Sequence, residues 1–256
     1  MQTQDMHTNP LTYTDPSGFA ASSKNFDYTV YFVAGIKTFH GFFRQLEKAI
    51  IDLYDQVNKT VCVKVLYPYG DASKGFISQS RNVRHDYRLR ENNALASEGG
   101  NVVRTQAQSY YAGGEMVFIG HSGGGVASYH GAKMLEELDG FKVKQVVQVG
   151  SPKVNISPSF KNKVTYVYNS NDPVTQLGSW RGPVGDKLFV QNLDPSTIIN
   201  IDTVRSQGKG LTVRATLKIL GGHMDYFNPQ RVDSNNIDNL SKTINAIWRV
   251  IKPQYD

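Results

Sequence analysis

The sequence predicts an α/β fold with a doubly wound, mainly parallel sheet. Three observations carry that expectation. Short β-branched and aromatic runs alternate with segments of helical periodicity along most of the chain. The run Val61–Tyr67 is close to continuously apolar, as a strand covered on both faces must be. And one junction, Val117-Phe118-Ile119-Gly120-His121-Ser122-Gly123-Gly124-Gly125-Val126-Ala127, passes from an apolar strand through Gly-x-Ser-x-Gly into small residues that open a helix.

Each element follows in order. Residues 1–25 are polar and rich in turn formers, and read as a tail or linker ahead of one domain over 26–256. Asp27 to Gly35 is a strand ended by a glycine break, and Ile36 to Gly41 a loop. From Phe42 to Val57 the apolar residues Phe43, Leu46, Ile50, Leu53, Tyr54 and Val57 mark one helical face. With the strand Val61–Tyr67 this makes strand, helix, strand, hence a right-handed crossover in a parallel sheet. Residues 68–101 show no clear periodicity, and are expected to form either a lid or substrate rim or a solvated excursion. A helix is predicted over 102–111, then the strand Met116–Ile119, the turn at Ser122, and a helix to Leu138 stopped by Gly140.

Two more strands, Val143–Val149 and Val164–Tyr168, end in Gly150-Ser151-Pro152 and Asn169-Ser170-Asn171-Asp172-Pro173. Residues 178–210 suggest short hairpins, Leu211–Leu220 a last strand, and Ile237 to Ile251 a closing amphipathic helix.

Composition narrows the function classes. The chain has 256 residues with a net charge of +6, which favours anionic surfaces, but its lysines and arginines are dispersed and no RNA-binding signature occurs; nucleic acid is not an expected partner. Cys62 is the only cysteine, inside a strand, so neither an intramolecular disulfide nor a cysteine-based zinc site can form. No His-x-x-x-His spacing occurs, and no metal or cofactor is called for. The polar N-terminus has no ordinary secretory signal, so the expected location is cytoplasmic, or outside the cell by a non-classical route.

The chemistry gathers at the strand ends, where ligands meet such sheets. A serine hydroxyl needs an imidazole to take its proton, and the imidazole a carboxylate to fix its tautomer. Ser122 sits at the apex of the turn. His223 follows a strand through two glycines and is the best base; His121, His130, His7, His40 and His85 are weaker rivals. Asp172 ends a strand between them, giving the order Ser…Asp…His; Asp202 and Asp225 are its rivals, and an Asx turn is its bland alternative. The Gly123 N–H, joined by that of Ile36, is the expected oxyanion hole.

These residues resemble the α/β-hydrolase superfamily, and within it the class 3 lipases: Gly-His-Ser-Gly-Gly at 120–124, Gly-Ser-Pro at 150–152, Asn169…Asp172-Pro-Val and His223…Tyr226 occur in that order. The resemblance implies a carboxylic-ester hydrolase acting on a lipid or small ester, with possible contact with a membrane surface. A thioesterase or amidase of the same fold, or a hydrolase-like domain used only for binding, are the alternatives. Separately, Asn9-Pro10-Leu11-Thr12-Tyr13-Thr14-Asp15-Pro16-Ser17-Gly18 resembles the end of an Rhs-repeat core. That resemblance implies a C-terminal toxin domain with a cognate immunity protein as partner.

Overall fold

The computed structural model describes residues 25–70, 76–90, 93–169, 172–178, 197–200 and 221–254. Among these, β1 (Tyr28–Val33), β2 (Val61–Leu66), β3 (Glu115–His121), β4 (Val143–Val149), β5 (Val164–Tyr168) and β6 (Thr197–Asn200) form a 6-stranded sheet in the order β2-β1-β3-β4-β5-β6. Every neighbouring pair is parallel.

The order dictates where a cleft can open. The chain goes outward from β1 to β2, then returns across β1 to lay down β3 on its other side. Between β1 and β3 the winding reverses, and the crossovers part there at the carboxyl ends of the strands. Gly35 and Ser122 follow those two strands.

Both faces of the sheet are covered, which is why β1 is buried at all six residues. Tyr28, Val30 and Phe32 point into one core, where α1 (Arg44–Asp55) contributes Leu46, Ile50 and Tyr54, and α5 (Asn239–Ile251) contributes Ile247 and Ile251. Tyr31 and Val33 point into the other, against α3 (Glu98–Ser109) and α4 (Gly123–Glu137) through Val103, Ala107, Val126 and Ala127. This is the doubly wound sheet that the alternation predicts, with the strand–turn–helix junction of the α/β-hydrolase fold between β3 and α4.

Two expectations need correction. Residues 68–101 are not an aperiodic excursion throughout: α2 (Phe76–Asp86) lies inside them. Its inward residues include Gln79 and Asp86, both buried, which work as hydrogen-bonding groups rather than as apolar ones. The stripe that would have announced the helix is therefore missing from the sequence. The next helix starts at Glu98, not Val102. Gly99 and Gly100 do not precede it but lie in its first turn, where a Cβ would stand 2.5 Å from the Tyr69 ring and 2.6 Å from His130 Cβ respectively. Ser97 caps that turn, accepting the Gly100 N–H at 2.9 Å.

Within 178–210, the described piece β6 extends the sheet in parallel beside β5, and the rest of the segment expected to form hairpins, apart from Gly178, lies outside the described residues. The expected strand Leu211–Leu220 and the segment Asn9–Gly18 lie outside the described residues.

Backbone passes very close to Gly124, where a Cβ would meet the Val33 carbonyl oxygen at 2.0 Å. Gly140, after α4, has φ +72° with open space around it. Gly124→Ala is expected to cost more than about 2 kcal/mol, because two pieces of backbone must separate, whereas Gly140→Ala should cost about 1 kcal/mol through its left-handed φ alone. Chemical denaturation of both variants checks the ranking, and equal losses would contradict it.

Candidate active site

The turn at Ser122 is strained in the way its sequence implies. Ser122 has φ 57° and ψ −133°, a region that residues with a Cβ rarely occupy, at a cost of order 1–3 kcal/mol. Hydrogen bonds on both sides hold it there. Its N–H donates to the Val149 carbonyl and its own carbonyl accepts from the Gly125 N–H, each at 3.0 Å. Neighbouring chain also presses on it: a Cβ at Gly35 would stand 2.7 Å from Ser122 Cβ and 3.2 Å from Gly123 N. The strand end of β1 thus passes directly against the turn.

That contact sets the backbone donors. Gly123 is the first residue of α4, and a helix has no acceptor of its own for its first N–H groups. Ile36 follows Gly35, and the turn it belongs to is tied down where the Lys37 N–H donates to Gln79 Oε1 at 3.0 Å. Gln79 belongs to α2, whose Val83 also closes on the turn: a Cβ at Gly123 would meet Val83 Cγ2 at 2.6 Å. Of the two expectations for residues 68–101, α2 thus answers to the rim, although as a helix it was not foreseen.

The wall is locked from behind by Asp86. Its carboxylate accepts from Tyr69 Oη at 2.8 Å and from the Glu98 and Gly99 N–H groups of α3 at 3.0 and 2.8 Å. Its main-chain carbonyl accepts from His130 Nε2 at 3.0 Å. A buried carboxylate at a helix N-terminus meets both unsatisfied donors and the positive end of the dipole.

Asp172 and His223, 51 residues apart in sequence, are brought together: His223 Nδ1 donates to Asp172 Oδ2 at 2.8 Å. The carboxylate is fully buried and shares out its two oxygens. Oδ1 accepts the Val174 N–H at 2.9 Å and caps the short turn Pro173–Gln176, so the local Asx role is real. Oδ2 serves His223 and accepts a second hydrogen bond, from Tyr226 Oη at 2.9 Å. Tyr226 Oη in turn accepts the Asn169 N–H at 2.9 Å. Burial, then the negative charge of Asp172, pushes the Tyr226 phenol far up, so it remains a donor throughout the working pH range. With Nδ1 committed to the carboxylate, neutral His223 carries its lone pair on Nε2, the nitrogen a base must offer.

His121 links this pair to the turn. Its ring stacks on that of His223, with centroids 4.8 Å apart, and its Nε2 donates to the His223 carbonyl at 2.9 Å. Burial, and after it the neighbouring His223, pushes the His121 imidazole down to about 3, so it stays neutral and acts as a spacer. The loop beyond is anchored by Asp225, a rival for the acid by sequence. Its Oδ2 accepts the Gly222 N–H at 2.9 Å and Oδ1 accepts from Asn228 Nδ2 at 3.0 Å. From α5, Asn239 Nδ2 and Thr243 Oγ1 donate to the Asp225 and Tyr226 carbonyls at 2.8 and 2.7 Å. Asp225 shapes the loop; Asp172 meets the imidazole. Asp202 and His7 lie outside the described residues.

No family model matches the chain, and no curated protein does. Among solved structures it is similar to a Trichoderma reesei cutinase in complex with a phosphonate inhibitor (21% identity, 66% of this chain and 69% of that one, TM-score 0.38). It is also similar to the NocB thioesterase domain in covalent complex with a fluorophosphonate nocardicin G analogue (15%, 88% and 95%, TM-score 0.42). A third is the RedJ thioesterase of prodiginine biosynthesis in Streptomyces coelicolor (11%, 91% and 96%, TM-score 0.43). Likenesses of this grade bear on neither substrate nor mechanism, which rest on the geometry above.

Two predictions come from these contacts. Tyr226→Phe strips one hydrogen bond from Asp172 and takes the phenol oxygen away from the buried Asn169 N–H, so a loss of about 1–3 kcal/mol in unfolding free energy is expected. An unchanged denaturation midpoint would contradict it. Second, His121 and His130 are held down by burial to about 3 and about 4, against 6.5 for an ordinary imidazole. Below pH 6.5 the unfolded chain binds these protons and the folded one does not, so stability falls as pH drops from 6.5 towards 4. Melting temperatures across that window check it: His130→Gln, though less stable at neutral pH, should show a slope shallower by about one proton. Identical slopes would rule the idea out.

Proposed function

We propose that the chain is a serine hydrolase of carboxylic esters that works through an acyl-enzyme. The observation that carries this reading is the 2.8 Å hydrogen bond from His223 to the buried Asp172 carboxylate, with the His223 ring stacked on His121, the residue before a serine held at φ 57°. A turn that tightens no core and stores strain is expected where a side chain must be displayed.

In the proposed reaction the Ser122 hydroxyl attacks the ester carbonyl while His223 Nε2 takes its proton. Asp172 keeps the imidazole in the required tautomer and stabilises its charged form. The Gly123 and Ile36 N–H groups receive the oxyanion. The imidazolium then returns its proton to the leaving alcohol, and water repeats the sequence to free the acid and regenerate Ser122. The steps use side chains, backbone donors and water alone.

For substrate we favour a lipid ester. Exposed apolar side chains stand on three of the loops that carry the site: Phe39 beyond Ile36, Leu177 after the Asp172 turn, and Met224 beside His223. Such a rim suits an acyl chain better than a polar metabolite. A thioester or amide would be cleaved by the same machinery, and comparing rates on matched oxygen and sulfur esters separates them. The resemblance of residues 9–18 to an Rhs core end supports a further step, a lipolytic effector whose producer makes an immunity protein covering the Ser122 cleft.

Ser122→Ala and His223→Ala are expected to abolish ester turnover with the fold retained, and Asp172→Asn to reduce it by a smaller factor, since nucleophile and base remain. Labelling by a fluorophosphonate probe should be lost with Ser122→Ala. A wild-type chain that neither labels nor hydrolyses any ester would leave a binding domain as the reading. For the effector step, expression in a bacterium should deplete membrane phospholipid unless the immunity protein is co-expressed; harmless expression in cytoplasm and periplasm would remove that step alone.

A further inference from the structure

The inner face of α2 closes on the Ser122 turn; its outer face carries charge. Arg81, Arg84 and His85 are spaced to share one side of α2, Arg88 follows in the turn just past its end, and all four are exposed. With Leu89 they line a surface groove of about 340 Å³. Among the described residues, no carboxylate pairs with Arg81, Arg84 or Arg88. Asp86, next to His85, has its carboxylate turned inward, occupied by Tyr69 and the first N–H groups of α3, with His85 Nδ1 3.3 Å from its Oδ1.

Three exposed guanidinium groups this close together in the chain repel one another unless an anion sits among them. Arginine forks fit phosphate oxygens, and an apolar neighbour such as Leu89 suits the carbon next to a phosphate ester. Arg81 and Arg84 stand about one helical turn apart on α2, and Arg88 lies past its end. Three guanidinium groups spread over a helix end and the turn after it suit separate phosphates better than a single one. His85 is the one ring among the described residues lining the groove on which a base could stack, fewer than a nucleic acid strand requires. Through Gln79, α2 also holds the loop that exposes Phe39, an apolar group able to enter a bilayer surface. The net charge of +6 adds attraction at longer range.

We propose that the outer face of α2 is a docking surface for a bilayer with anionic phosphate headgroups. The inference stands on α2 and does not depend on the triad. Docking places the wall of the Ser122 turn against the lipid, with Gln79 and Val83 fixing its distance from Gly123.

The test is co-sedimentation of the full chain carrying Ser122→Ala with vesicles of phosphatidylcholine alone or mixed with phosphatidylglycerol, so that lipolysis plays no part. Binding is expected to the mixed vesicles, to weaken as salt is raised, and to fall on the order of a hundred-fold in Arg81→Ala/Arg84→Ala/Arg88→Ala, from about five-fold per arginine. An unchanged far-UV spectrum and melting temperature show that the triple variant is folded. Arg81→Lys/Arg84→Lys/Arg88→Lys should recover most of the binding, since long-range attraction counts charge. Equal binding of triple variant and parent would overturn the proposal. So would equal affinity for phosphatidylcholine alone, tighter binding to a single-stranded oligonucleotide, or binding of soluble glycerol phosphate with no vesicle binding.

Discussion

A carboxylate sealed from water must be compensated where it sits, and Asp172 is so sealed. Its three donors, the Val174 N–H, His223 Nδ1 and Tyr226 Oη, come from two separate stretches of chain. Meeting that demand decides much of the fold around it. The end of β5 must turn back at once, which Pro173 and the short turn accomplish. The loop at 221–228 must be carried inward, and α5 does this by donating side-chain hydrogen bonds to its carbonyls. Tyr226 bridges the two stretches, donating to Asp172 and accepting from Asn169. The geometry of His223 is thus an outcome of satisfying a buried charge.

A second carboxylate plays the same part on the other side of the sheet. Asp86 holds α2, α3 and Tyr69 together, as Asp172 holds β5 and the 221–228 loop. The strained serine lies between the two. Backbone in a sparsely populated conformation persists only where its surroundings over-determine it. Here the surroundings are β1 on one flank through Gly35, and α2 on another through Val83.

The parts legible in the sequence were those with a backbone cause. Ser122 announced itself because a tight turn needs neighbours that have no side chain, and the strands because two-sided burial enforces apolar runs. Asp172 was separable from Asp225 by strand order, although Asp225 stands closer to His223 in sequence; chain proximity was the misleading cue. What stayed illegible has one physical character. Gln79, Asp86 and Tyr226 are buried groups whose work is hydrogen bonding to partners far along the chain. In a sequence they look like surface residues, and so α2 went unseen. The glycines at 99 and 100 misled for a related reason: a missing side chain marks close packing as readily as a break, and only the position of Tyr69 and His130 tells which.

The parallel sheet has a consequence for the order in which the protein becomes functional. No pair of neighbouring strands is joined by a hairpin, so each must await a crossover before it can pair. As the chain leaves the ribosome, β1 to β4 with α2 and α4 can assemble and hold the strained serine, whose N–H needs the Val149 carbonyl at the end of β4. His223 emerges long after, and its loop has no support until α5 follows and binds the Asp225 and Tyr226 carbonyls. The Ser122 turn and the Asp172–His223 pair are therefore secured by different parts of the chain, and α5 is what fixes the second in place.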